Sequence, residues 1–216
     1  MPHLRQGEAL HLVVDSTGCK VYGEGEWKVR VHGKSKRRTW RKSHLGVDAP
    51  TGQMMAAVLS SNAVSDGEAL PQLLEPVEVP MVQLSGDGSY DQRSCYDQRS
   101  CYELLRQRQQ EQRQSLKVTI PPRRGARIWQ HGNSPEQRLG RDENWREIRR
   151  VGRKRWKQQS GYHRRSLAET AMSRFKGIVG EKLQARDFSR QSTEAFIGVL
   201  MLNRMMALGM PKSYAV

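Results

Sequence analysis

Residues 162–179 read YHRRSLAETAMSRFKGIV. At 100° per residue, Tyr162, Arg165, Glu169 and Lys176 fall within about 60° of arc and form one polar line. Leu167, Ala168, Ala171, Met172, Phe175, Ile178 and Val179 fill the neighbouring and opposite directions as a broad apolar face. The pattern predicts a helix over about 162–180, docked on a core, with ionic and aromatic groups along one edge. Helix geometry alone also allows a plainer reading. The polar line is then a solvated face with an Arg165–Glu169 pair at i,i+4, which contributes only a few tenths of a kcal/mol.

Upstream of this helix the chain alternates strand and helix signals. LHLVVDST, residues 10–17, is an apolar strand ending in a polar turn. Strands are expected at Ser43–Asp48 and Gln53–Ser60, joined by the turn chemistry of Asp48-Ala-Pro-Thr-Gly52. Ser65 followed by Glu68 three residues on is a capping box, and Leu70, Leu73 and Leu74 supply the apolar face of the helix it opens. Val79–Ser85 reads as a strand running into Gly86-Asp87-Gly88, followed by a Gln/Arg-rich helix over 91–113 and a short strand at Leu116–Ile120. Residues 123–160 are basic and poorly periodic, and an irregular connection is expected there. A last helix is expected over 192–208, with Phe196, Val199, Leu200, Met205 and Met206 packing on the core or on another subunit. Strands followed by alternating helix and strand fit an α/β fold, a mixed sheet flanked by helices.

The hexapeptide Asp-Gln-Arg-Ser-Cys-Tyr occurs at 91–96 and again at 97–102. Six residues turn an α-helix by a net 240° or so, and a helix spanning both copies would misalign one face. One copy is therefore expected outside the helix or at its N-terminal end.

The 216 residues suffice for one domain with a sizeable core, and the net charge of +15 points to a polyanionic partner. Charge sets that class and nothing finer. No signal-peptide pattern and no run of about 18 apolar residues is present, so no membrane partner is expected. Cys19, Cys95 and Cys101 show neither zinc-ligand spacing nor an even count, which fits a reducing, cytoplasmic compartment.

Returning to the helix, Tyr162, Arg165, Glu169 and Lys176 stand at the spacing Y-(2)-R-(3)-E-(6)-K. Asp15 ends an apolar strand in Val-Val-Asp-Ser-Thr-Gly, and Asp87 follows a strand in Gly-Asp-Gly-Ser-Tyr. On these residues, and on the closing Leu-Asn-Arg-Met-Met-Ala-Leu-Gly-Met-Pro, the chain resembles the DDE transposases of bacterial insertion sequences. Within them it looks like the insertion-sequence-five-like branch of the insertion-sequence-four/five superfamily. The resemblance covers nearly the whole chain and implies a ribonuclease-H-like fold.

It also implies that Asp15, Asp87 and Glu169 are catalytic residues and metal ligands. Each acid has an ordinary alternative: Asp15 capping a strand end, Asp87 shaping a turn. Asp48, Asp66 and Asp91 read as turn or capping residues. Three converging carboxylates require cations, and hard oxygen ligands suit Mg²⁺ or Mn²⁺, two ions in this chemistry. The three carboxylates are then expected within common coordinating reach. In the family, water cleaves a phosphodiester at the transposon end and the freed 3′-hydroxyl attacks target DNA. The partners implied are double-stranded DNA (ends and target) and further copies of the chain.

By the same resemblance Tyr162, Arg165 and Lys176 hold the DNA end. Lys34, Arg37, Arg38 and Arg41, in the basic stretch 20–42 with Trp27 and Trp40, extend the track, as does the basic run 146–157. Such runs are otherwise solvated loops. His44 and His131 read as structural. Residues 1–216 read as a single catalytic domain in which the N-terminal DNA-binding region of full-length relatives is absent. An inactive truncated remnant that only binds DNA is the alternative; a ribonuclease-H-like nuclease without a joining step fits the Tyr-Arg-Glu-Lys helix less well.

Overall fold

The apolar strand near the N-terminus runs well past its aspartate: β1 spans Leu10–Val21 and forms the centre of the sheet. A computed structural model describes residues 9–21, 40–91, 101–129 and 139–209. With β2 (Trp40–Asp48), β3 (Met54–Ser61), β4 (Met81–Ser85) and β5 (Lys117–Thr119), the sheet order is β3-β2-β1-β4-β5. β2 runs antiparallel to β1 and β3, whereas β4 and β5 run parallel to β1. A sixth strand, β6 (Lys182–Leu183), which the sequence did not announce, pairs with the far end of β1. The result is a mixed six-stranded sheet flanked by helices, the ribonuclease-H-like α/β fold expected.

Side-chain alternation along β1 sorts its residues between two cores. Leu10, Leu12 and Val14 pack with α1 (Asp66–Leu74) and α2 (Cys101–Gln112), through Leu70, Leu73, Tyr102 and Leu105. Val13 packs on the opposite face with α5 (Ser166–Arg174) and α6 (Phe188–Ala207), through Ala168, Ala171, Val199 and Leu202. Side chains such as Leu12, Leu45 and Phe175 are almost wholly buried, each contributing roughly 1.5–3 kcal/mol. Asp15 shares the parity of Val13 and therefore faces α5. A register slip of one residue would turn it to the other face.

β1 also changes neighbour along its length. On one edge it pairs with β4 over Leu10–Val13 and with β6 only at Lys20–Val21. Among the described residues, 14–19 have no strand partner on that edge, so β4 and β6 leave a fork that opens beside Asp15.

Local signals explain several element ends. Ser65 and Glu68 form the capping box of α1. Gly52, at φ +73°, closes the β2–β3 hairpin, where Asp48 Oδ2 accepts from Thr51 N at 3.2 Å and from its hydroxyl at 2.6 Å. β3 is held on its outer side by Asn203 of α6. The amide of Asn203 accepts from Met54 N at 2.9 Å and donates to Met54 O at 2.8 Å.

Four expectations need correction. Within 123–160, the irregular connection contains two helices, α3 (Gly140–Val151) and α4 (Arg153–Gln159), broken at Gly152 with φ +83°. They bury only Ile148 and Trp156 as large apolar groups, alongside the charged Arg141 and Asp142, and so lack a legible apolar period. The 162–180 helix is composite. Tyr162–Arg165 is a 3-10 turn, α5 follows, and Phe175–Val179 is a π turn closed by Gly180 N donating to Phe175 O at 3.2 Å. α6 starts at Phe188, not after Ser192, because Asp187 caps it by accepting from Arg190 N at 2.9 Å. It buries Ala195, Gly198, Val199 and Leu202, while Phe196, Leu200 and Met205 of the expected core face are exposed.

The helix expected over 91–113 is described as α2 from Cys101. Asp91 of the first hexapeptide copy lies outside it and is buried; Cys101 and Tyr102 of the second copy are buried in its first turn. Residues 92–100, including Cys95, lie outside the described residues.

Candidate active site

The parallel register of β1 and β4 pairs Val13 with Ser85. Two residues further along come Asp15, midway along β1 and not at its end as expected, and Asp87, just past the end of β4. Asp15 is half-buried in the fork, and its Oδ1 accepts from Ser16 N at 2.8 Å. Asp87 has extended backbone and caps the 3-10 turn Gly88–Tyr90. Its Oδ1 accepts from Ser89 N at 2.8 Å and from the Ser89 hydroxyl. The chain before it passes too close for a side chain: a Cβ on Gly86 would lie 2.9 Å from the buried Tyr90 ring and 3.2 Å from Val14. Glycine is required there by close approach.

Glu169 arrives on α5, which docks Ala168, Ala171 and Met172 into the core. Between Glu169 and Asp15 lies Arg165. One guanidinium nitrogen donates to Asp15 Oδ2 at 3.3 Å and the other to Glu169 Oε1. The Arg165–Glu169 pair of the plain helix reading is thus present, with Asp15 as a third member.

Burial raises the Asp15 carboxyl above its ordinary range. The Ser16 N–H and Arg165 oppose the shift, while the charges of Asp87 and Glu169 add to it. Tyr162 responds to the same group: burial raises its hydroxyl, Arg165 opposes, and Asp87, Asp15 and Glu169 reinforce. Asp15, Glu169 and Tyr162 all lie beside Arg165, and the charge of Asp87 is felt at Asp15 and Tyr162.

The three acids do not form a ready-made ligand set. Among the described residues, no three His, Cys, Asp or Glu side chains are arranged to hold a metal ion, contrary to the expected common reach. The reason is visible in the contacts: Arg165 joins Asp15 to Glu169, and Asp87 is bonded to Ser89. The donor chemistry nevertheless fits a hard divalent cation. Like charges already push Asp15 upward, and three carboxylates come closer only if positive charge is placed among them.

The remaining residues divide. The Tyr162 ring lies against Trp156 at 6.0 Å between centroids, with Lys157 Nζ 5.0 Å and the Arg165 guanidinium 6.0 Å from its centre. Lys176 sits half-buried in the π turn, and its charge is felt at Cys19 and Glu181. Arg41 donates to Gln191 Oε1 at 2.8 Å, with its guanidinium over the Phe188 ring. Lys34, Arg37, Arg38, Trp27 and His131 lie outside the described residues. His44 is structural, as read: it is fully buried, with Nε2 2.8 Å from Ser60 Oγ. Reading by sequence missed the Ser89 and Trp156 contacts, which depend on turns it could not place.

A central β1 with β4 parallel beside it, Asp15 within β1, Asp87 just past β4 and a third carboxylate on a packed helix give a ribonuclease-H-like α/β domain with a candidate acidic site. The chain matches the family described as Transposase DDE domain over residues 6–204, and it belongs to that family. No solved structure matches the chain. No described helix is long and apolar enough to cross a membrane.

Proposed function

We propose that residues 1–216 form one catalytic domain of an insertion-sequence transposase, of the insertion-sequence-five-like branch, that cleaves DNA at the element's ends and joins those ends to target DNA. The observation that carries this reading is the register of parallel β1 and β4, which sets Asp15 in β1 beside the end of β4 that leads to Asp87, with Glu169 tied to Asp15 through Arg165. Asp15, Asp87 and Glu169 are the catalytic residues and would hold two Mg²⁺ or Mn²⁺ ions. When bound, such ions supply activation of the attacking oxygen and charge for the leaving one.

The chain's own groups bind and orient the DNA. Arg165, released from its carboxylates, offers a planar donor pair matched to a phosphate. Tyr162 and Lys157 present a hydroxyl and an ammonium beside it, and Lys176 extends positive charge along the π turn. Lys34, Arg37, Arg38 and Arg41 continue the track. The excess of 37 Lys and Arg over 22 Asp and Glu makes attraction to DNA strong and salt-sensitive. A multimer bridging two ends, acting on the bacterial nucleoid in the cytoplasm, completes the reading.

The test is strand transfer with pre-cut ends of the protein's own element in Mg²⁺ or Mn²⁺. Metal-dependent joining that Glu169→Gln lowers by at least a hundredfold, with DNA binding retained, is the expected result. DNA binding with no joining in either protein would make the chain a DNA-binding remnant.

A further inference from the structure

Across the three parallel strands, His11 of β1, Gln83 of β4 and Lys117 of β5 stand in one row, and Val13, Ser85 and Thr119 in the next. Alternation puts all six on the face that carries Asp15, two residues past Val13. Val13 packs under α5, but the strands beside it are polar and bonded among themselves. His11 Nε2 lies 2.8 Å from Ser85 Oγ, and Gln83 Nε2 donates to Thr119 Oγ1 at 2.8 Å.

Gln83 and Lys117 also reach out of the sheet to one atom. Gln83 Nε2 and Lys117 Nζ each donate to the backbone carbonyl of Ser160, both at 3.3 Å. Ser160 closes α4, and the carbonyl of such a residue has no partner inside its own helix. The other end of α4 is fastened to the chain just beyond β5, where Arg153 donates to Pro122 O at 2.8 Å. The next residue, Gly161, turns the chain at φ +74° with open space where a Cβ would stand, so conformation rather than crowding selects glycine.

The 3-10 turn Tyr162–Arg165 follows at once. It is braced from within by Arg164 N donating to Gly161 O at 3.1 Å and Ser166 Oγ donating to His163 O at 3.0 Å. Tyr162 and Arg165 therefore start from a point that the sheet holds, and from there Arg165 reaches Asp15 at 3.3 Å. We propose that Gln83, with Lys117 beside it, is a positioning residue that pins Ser160 so that the turn presents Tyr162 and Arg165 to Asp15; this rests on the active-site reading above. The strand that carries Gln83 leads to Asp87 four residues later, so one short element sets both the turn and an acid.

Gln83→Met keeps length and removes the donor without changing charge, whereas Lys117→Met also removes a cation that attracts DNA by itself. The probe is a fluorescein-labelled duplex of the element's own pre-cut end, read by anisotropy at fixed salt. Gln83→Met should weaken its binding about fivefold, the share one hydrogen bond contributes. In the background Tyr162→Ala with Arg165→Ala, the same substitution should cost less than about twofold, because its effect passes through those two side chains. Hydrogen exchange of the amides of residues 162–166 should quicken at least about tenfold in Gln83→Met, with β1 as in the wild type.

Wild-type binding by Gln83→Met, beside a Tyr162→Ala, Arg165→Ala protein that has lost affinity, would overturn the inference and leave the active-site reading standing. An equal loss on both backgrounds would overturn it too, since a merely structural contact acts without regard to the turn. Wild-type binding by Tyr162→Ala with Arg165→Ala would overturn both the inference and the DNA-holding role of the turn. If Gln83→Met does not fold, Lys117→Met decides by the same cycle, in which its charge effect appears on both backgrounds and cancels. If the wild-type chain does not bind the end, the exchange rates decide alone.

Discussion

Removing the Asp91 carboxylate takes one of two ion-pair partners from a buried arginine, and the size of the effect can be worked from its surroundings. Asp91 Oδ1 accepts from Arg141 Nε at 2.6 Å, with the two side chains 2% and 3% exposed. Its Oδ2 accepts from Arg123 N at 2.9 Å. In Asp91→Ala, Arg141 keeps the Arg127 carbonyl at 2.7 Å, Asp142 at 3.2 Å and the Trp129 ring at 3.8 Å. Breaking a buried pair costs about 3–5 kcal/mol. The retained contacts place this case at the low end, about 3 kcal/mol, including the orphaned Arg123 N–H. For a chain of this size each kcal/mol moves Tm by about 2–4 °C, so Tm should fall by about 6–12 °C.

Thermal unfolding followed by circular dichroism at neutral pH measures it. The drop should change little between low and high salt, because water and ions do not reach the pair. Glu147→Ala, which breaks a pair whose arginine is 72% exposed, should leave Tm almost unchanged. Replacing both partners, Asp91→Leu with Arg141→Met, should recover most of the loss. A drop under about 2 °C for Asp91→Ala would refute the argument that this buried pair fastens the strand-end turn to α3.

Three other measurements probe the packing and titration of the same fold. A Cβ on Gly198 would stand 2.7 Å from Val179 Cγ1 and 3.0 Å from Phe175. Gly198→Ala should therefore destabilise by about 1–3 kcal/mol despite its better helix propensity, read as a lower Tm. Asn203→Leu strips both hydrogen bonds from the Met54 backbone and should lower stability by about 2–4 kcal/mol in urea unfolding. Burial lowers His11 and His44 from 6.5 to about 4. The unfolded chain therefore takes up protons first as pH falls, and stability is lost from about pH 6.5 down toward 4. His11→Gln should flatten the fall in Tm between pH 6.5 and 5, above the range where carboxylates titrate.

Legibility followed the range of the forces. Elements set by local pattern could be read directly: the apolar run of β1, the Asp48–Gly52 hairpin, and the Ser65/Glu68 cap. α3 and α4 could not, because much of their anchoring is the Arg141–Asp91 pair, whose members stand fifty residues apart in a charged background. The composite helix hid for another reason. A 3.6-residue period describes α5, but the 3-10 turn before it and the π turn after it redirect Tyr162 and Lys176. The candidate acids were legible through resemblance, and their alignment through strand parity. Their surroundings were not: the turn that lets Ser89 N donate to Asp87, and the approach of Arg165 to Asp15, emerge only in the fold.

The repeated hexapeptide bears on how this chain tolerates genetic accident. The fold draws the buried aspartate, Asp91, from the first copy and the buried Cys-Tyr pair, Cys101 and Tyr102, from the second. A single copy would hold those same three residue types with three residues between the Asp and the Cys, where the duplicated chain has nine. The same six residues inserted into β1 would reset every strand pairing beyond them. The duplication thus fills the three interior positions from two different copies, and the buried aspartate and the buried Cys-Tyr pair no longer belong to one hexapeptide.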